Sequence, residues 1–142
     1  MSRSKILIAA LAGMCYLLLC WAAVAEHRDE EEALGVAETW LTLVDNGKYS
    51  ESWETASDLF RSAVTQEQWE RALNATRKPL GRCTARRLRW RRHTTSLPGA
   101  PEGEYVVIQF EASFENKKAA VETVTPMVDE DGKWRVSGYY LK

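Results

Sequence analysis

The sequence predicts an α+β domain, with three N-terminal helices packed on a four-stranded antiparallel curved sheet. Two observations carry that expectation. Up to Leu73 the apolar residues recur at helical spacing, and after Gly81 the period drops to two. No internal repeat or low-complexity linker separates the halves, and helices segregated from strands define the α+β class.

The first helix is expected in "DEEEALGVAETWLTLVDNG". Ala33, Ala37, Trp40, Leu41 and Val44 fall on one face, Asp29 to Glu32 place negative charge at its start, and Asn46-Gly47 stops it. A short second helix is expected in "KYSESWETA", with Tyr49, Trp53 and Ala56 on one side. The third lies in "TQEQWERALNATRKPLG". Thr65 and Gln68 form a capping box there, Trp69, Ala72 and Leu73 are the apolar stripe, and Pro79 and Gly81 end it.

Four strands follow. The Arg-rich "RRLRWRR" is the first, and the loop "SLPGAPEGE" leads to "EYVVIQFEASFE". "AAVETVTPMV" and "KWRVSGYYLK" complete the set, separated by the turns "FENKKA" and "DEDG". If Asn116-Lys117 centres the first turn, Phe110 faces Thr123 and Ala112 faces Val121. If Glu130-Asp131 centres the second, Thr125 faces Val136 and Val121 faces Tyr140. The inward face would then carry Val106, Ile108, Phe110, Ala112, Phe114, Val121, Thr123, Thr125, Met127, Trp134, Val136 and Tyr140.

The N-terminus reads as an export signal over residues 1–25. Arg3 and Lys5 precede an apolar run from Ile6, which ends in Ala23-Val24-Ala25. Small residues at these positions suit signal peptidase, so cleavage is expected between Ala25 and Glu26. The competing reading is a retained anchor, because the run is about 20 residues long. Residues 26–142 would then form a single periplasmic or secreted domain that meets the membrane only transiently, through the signal segment. The chain carries 19 Lys+Arg against 20 Asp+Glu, a net charge of −1. Losing Arg3 and Lys5 takes that to −3, which argues against a nucleic-acid partner. Cys83 is left without an intrachain disulfide partner and is expected to be buried.

"RRLRWRR" raises the sharpest question. Strand alternation puts Arg86, Leu88, Trp90 and Arg92 on one side and Arg87, Arg89 and Arg91 on the other. Leu88 and Trp90 would face the core. The second set is either an outer-face ladder paired with Glu111, with Glu122 beside it, or an anion-binding site built from Arg87, Arg89 and Arg91.

"RKPLG", "LPGAPEGEYVVIQFEASFENKKAAVETVT", "DGKWRVSGYYLK" and "WLTLVDNGKYSESWETAS" together resemble the bacterial secreted family known as domain of unknown function number 4019. The resemblance spans Leu34 to Lys142. It implies a cystatin-like cone akin to nuclear transport factor 2, and it brings no activity and no catalytic residues. Cones of this kind include ketosteroid isomerases, which use an acidic base and a tyrosine in an apolar cavity.

Little catalytic chemistry is legible. His27 and His93 are far apart, no metal-ligand spacing, phosphate loop or nucleophile elbow occurs, and no cofactor is implied. A cavity under the sheet would be lined by Tyr49, Thr123, Thr125 and Tyr140, with Glu111 and Glu122 outside it. The sequence therefore points to an exported, non-catalytic module that binds an envelope protein or an anionic ligand. The alternative is a small cavity enzyme of the ketosteroid-isomerase type. Val107, Val124, Tyr139 and Leu141, with Pro126, are expected on the outer sheet face as a homodimer surface.

Overall fold

The computed structural model describes the backbone of residues 3–142 and the side chains of residues 21–142. Side chains of the expected export signal up to Cys20 lie outside the described residues. The order of elements is α1 (Arg3–Asp45), α2 (Tyr49–Glu54), α3 (Asp58–Ala63), α4 (Gln66–Thr76), a 3-10 turn (Lys78–Leu80), β1 (Cys83–Thr94), β2 (Tyr105–Phe114), β3 (Lys117–Val128) and β4 (Trp134–Leu141). The strands form one antiparallel sheet in the order β1-β2-β3-β4, so the chain has the expected α+β class.

α1 is longer than expected. It runs through Ala25-Glu26 and Asp29–Glu32 without a break, so those acids lie inside the helix and do not cap it. Residues 21–28 are exposed, and the packed part of α1 begins beyond them. From there the expected stripe is buried: Ala33, Ala37, Trp40, Leu41 and Val44. Gly47 ends the helix at φ +71°, a conformation that glycine adopts without a Cβ penalty.

The segment between the expected second and third helices folds as α3. Ser57 caps it, accepting from Phe60 N at 3.2 Å. Ser57 N also donates to Val136 O at 2.9 Å, and the buried Asp129 carboxylate accepts from Asp58 N at 3.1 Å, so α3 is pinned to β4. α4 starts with the capping box of Thr65 and Gln68. Its Trp69 and Leu73 are buried, whereas Ala72 is exposed.

α1, α3 and α4 meet in an aromatic cluster, with hydrogen-bond acceptors supplied by α2. Trp40 and Trp69 lie 5.8 Å apart between centroids, and Phe60 stands edge-on to Trp69 at 5.0 Å. Trp40 donates to Ser52 O at 2.7 Å and Trp69 to Ser52 Oγ at 3.0 Å, which satisfies both indoles inside the core. Val106, Ile108 and Phe110 of β2, Val124 of β3, and Trp134 and Val136 of β4 close that core from the sheet side.

The sheet register departs from expectation. Phe110 pairs with Glu122 and Ala112 with Ala120, one residue off the expected pairing. β3 is therefore turned over: Ala120, Glu122, Val124 and Pro126 face the core, and Val121, Thr123, Thr125 and Met127 face away. In β4 the pairing shifts between Thr125 with Gly138 and Pro126 with Val136. This bulge reverses the alternation, so Trp134, Val136 and Tyr139 point inward and Tyr140 is 62% exposed. A second bulge, at Arg89, separates Leu88 paired with Phe110 from Trp90 paired with Gln109. It turns Trp90 and Arg92 outward and Arg91 and His93 inward.

Candidate functional site

Turning β3 over places a carboxylate inside the protein. Glu122 has no exposure. Its Oε2 accepts from Arg86 Nε at 2.7 Å and its Oε1 from the Tyr139 hydroxyl at 2.7 Å. Arg86 extends from β1 to the end of α1, where it donates to both Asp45 oxygens at 2.6 and 2.9 Å. Asp45 also accepts from Arg77 at 2.9 Å. Arg77 donates to Gly81 O at 2.7 Å, and its guanidinium lies 4.3 Å over the Phe114 ring. Arg77 Nε is the described buried side-chain atom that no partner satisfies.

The four charges cancel, which is what allows them to stay out of water. Burial pushes Asp45 up, but hydrogen bonds from Arg86 and Arg77 outweigh it and hold the carboxyl below its ordinary range. Burial also lowers Arg86, and its bonds to Asp45 and Glu122 reverse that and hold it above the usual range. Tyr139 is held above the usual phenol range, first by burial and then by the Glu122 charge.

The outer face of the sheet has a different character. Arg87 and Arg89 both lean toward Glu111, Arg87 in a close pair and Arg89 at 3.9 Å. Arg87 is 77% exposed in its side chain. They border an open groove of about 810 Å³, lined also by Gln109, Ser113, Lys118, Ala119 and Val121. A second depression, of about 560 Å³, is lined by Trp90, Arg92, Thr94, Leu97 and Val107. Trp90 donates its indole N–H to Gln109 Oε1 at 3.1 Å and stays 41% exposed.

The expected site residues divide accordingly. Arg87 and Arg89 occupy the outer face, and of the two expected partners for Glu111, Arg87 or Arg89, it is Arg87 that lies opposite. Arg91 leaves that set, because the bulge points it at α1, where it pairs with Glu30 at 3.4 Å and Glu31 at 2.7 Å. Trp90, expected in the core, is on the outer face. Of the expected cavity lining, Tyr49 is buried, but Thr123 and Thr125 lie on the opposite face and Tyr140 is exposed.

The expected dimer face does not form as drawn. Val124 and Pro126 are sealed in the core, Tyr139 packs 5.4 Å from Trp40, and Leu141 packs against the Ala112, Phe114 and Ala120 cluster. Val107 alone of that set faces out. Cys83 is half-buried rather than sealed, and burial pushes its thiol up.

Asp45 and Arg77 were not singled out from the sequence, and Glu122 was expected on the outer face beside Glu111, whereas the one-residue register change buries it. A signal was present in Arg86, which strand alternation put on the same side as Leu88. An inward arginine demands a buried carboxylate. Among the described residues no group of His, Cys, Asp and Glu could hold a metal ion. Among residues 21–142, whose side chains are described, no helix is long and apolar enough to cross a membrane.

These features define an α+β domain whose helices cover one face of an open antiparallel sheet, with a neutral charge cluster sealed between the layers and cations along the far face. The chain belongs to the family described as "Protein of unknown function (DUF4019)", which matches residues 36–139. No curated protein and no solved structure matches it.

Proposed function

We propose that this chain is an exported binding module of bacterial envelopes, built on a cone like that of nuclear transport factor 2, and that its outer sheet face takes an anionic ligand. The observation that carries the reading is the convergence of Arg87 and Arg89 on the single carboxylate of Glu111 beside the groove. Two guanidiniums sharing one carboxylate leave positive charge over an open surface, and Lys118 on the same groove adds to it. An incoming acid group can pair with the second guanidinium in the forked geometry that arginine favours.

The cavity-enzyme reading would use Glu122 and Tyr139 as its acid–base pair. Both Glu122 oxygens are already taken, by Arg86 and by Tyr139, and the carboxylate itself has no exposure. That weighs toward binding. Export rests on the basic start, the apolar run and Ala23-Val24-Ala25. Exposure of residues 21–28 supports it, because cutting between Ala25 and Glu26 removes no described core residue.

The test is retention on phosphocellulose, followed by salt elution. Wild type is expected to be retained despite its net negative charge, and Arg87→Ala with Arg89→Ala to elute early with an unchanged Tm. Arg91→Ala should instead lower Tm and keep retention, since Arg91 ties β1 to α1. Wild type in the flow-through would end the anion reading.

A further inference from the structure

The outward row of β1 has an order that charge alone does not explain. Its residues are matched to β2 as Arg92 with Val107, Trp90 with Gln109, and Arg87 with Glu111. Successive partners are two residues apart on β2, so the row places a cation about 7 Å to either side of one indole. The bulge residue Arg89 adds a further guanidinium between Trp90 and Arg87, in contact with Gln109 Oε1 at 3.2 Å. Arg92 is exposed, and among the described residues no carboxylate pairs with it.

The indole at the centre is held. Its N–H reaches across to Gln109, its cross-strand partner, so the ring leans over β2 with part of it open to solvent. The register shift that puts it there also breaks the expected core-facing alternation of Leu88 and Trp90, and Leu88 too is exposed rather than in the core. Amphipathic aromatics usually face the core or a ligand, and the core side is taken here by α1 and its pairs to Arg91.

We propose that the row Arg92, Trp90 and Arg87, with Arg89, is a subsite for a linear acidic polysaccharide. One sugar ring stacks its apolar C–H face on Trp90, and the acid groups of its neighbours pair with the arginines on either side. This rests on the anionic-ligand reading above and narrows it. An extended face with two open depressions end to end suits a polymer strand better than a small anion, which would need an enclosing pocket. Gln109, Thr123 and Ser113 offer hydrogen-bonding groups along the path, and Gln109 Nε2 lies 3.4 Å from Thr123 Oγ1. Acidity in the ligand follows from charge complementarity. Single-stranded nucleic acid would use the same stacking and pairing, but the chain's overall charge is −1.

The experiment compares a short oligogalacturonate, polyglutamate of matched charge and oligo(dT) as probes, by calorimetry on the full domain at two salt concentrations. Wild type is expected to bind the oligogalacturonate most tightly. Trp90→Ala should weaken it by about tenfold, the scale of losing one buried aromatic contact. The same variant should change polyglutamate binding less than about twofold, and Trp90→Phe should retain part of the loss. Arg92→Ala and Arg87→Ala should each weaken both acidic probes and flatten the salt dependence. Trp90 is surface-exposed, and an unchanged melting curve verifies that the Ala variant is folded. If Trp90→Ala leaves the oligogalacturonate unaffected, or weakens both acidic probes equally, the stacking subsite is refuted and the anion reading stands. If oligo(dT) binds wild type more tightly than either acid, the polysaccharide assignment is wrong. If no probe binds wild type, the anion reading fails and takes this one with it.

Discussion

Replacing Glu122 by alanine tests whether the sealed cluster is as tightly balanced as its geometry implies. The substitution removes one of two negative charges that face Arg86 and Arg77. It leaves the buried Arg86 Nε and the Tyr139 hydroxyl without their acceptors. Breaking a buried ion pair from one side costs about 3–5 kcal/mol, because the surviving charge stays desolvated. For a domain of this size each kcal/mol moves Tm by about 4 °C, so the melt should fall by about 12–20 °C. Circular dichroism melts and guanidinium unfolding give the number. Glu111→Ala is the control. It removes a carboxylate of similar reach from an exposed pair with Arg87, where the loss should stay below about 1 kcal/mol. Should Glu122→Ala melt no lower than Glu111→Ala, the carboxylate is reached by water and the balance argument is wrong.

Acid stability should follow Asp45. Its folded pKa lies below the ordinary carboxylate value of about 3.9, so its contribution is present above that pH and is lost as pH falls through the depressed value. Denaturant midpoints between neutrality and pH 2 should show a steep acid limb that Asp45→Asn flattens. Tyr139 gives the opposite limb. With its folded pKa raised, its contribution holds below about pH 10 and declines above, and Tyr139→Phe should remove that decline. Two glycines should respond in opposite directions. Gly35 is exposed on α1 with no atom within 4 Å of an added Cβ, so Gly35→Ala should stabilise by about 0.5–1 kcal/mol. Gly81 has φ +75° and an added Cβ would lie 2.6 Å from Glu115 Oε2, so Gly81→Ala should cost on the order of 1–3 kcal/mol. Equal shifts in the two melts would contradict the local geometry at Gly81.

Periodicity and caps made the elements legible, and sidedness failed where the chain bulges. Ala33 to Val44, the capping box and the alternation of Val106 to Phe114 each carry one strong local signal. α3 was missed because six residues hold too little periodicity, although Ser57 before Asp58 is a cap signature. In β3 the two faces are nearly as apolar as each other, so hydrophobic pattern could not choose between them, and a one-residue error reversed the strand. Bulges at Arg89 and beside Gly138 then moved Trp90, Arg91, Tyr139 and Tyr140 to the opposite sides from those that strict alternation assigns. No composition rule marks such an insertion. The outer pair of Arg87 with Glu111 lies beyond the bulge as counted from the loop, and it stayed legible because counting from Gly99 as the centre of that loop gives this pairing.

Glu122 also decides which of two sheets the chain can build. Val121, Thr123, Thr125 and Met127 would make a serviceable apolar face, so burial alone discriminates weakly against a hairpin slipped by one residue. In that hairpin Glu122 points to solvent and the inward guanidinium of Arg86 meets a valine or threonine. Asp45 would then have to neutralise both Arg86 and Arg77 unaided. A misregistered hairpin can close, but it cannot dock beneath α1 without trapping an unpaired cation. The charged cluster thus favours the observed register over a competitor that the hydrophobic sequence alone would admit.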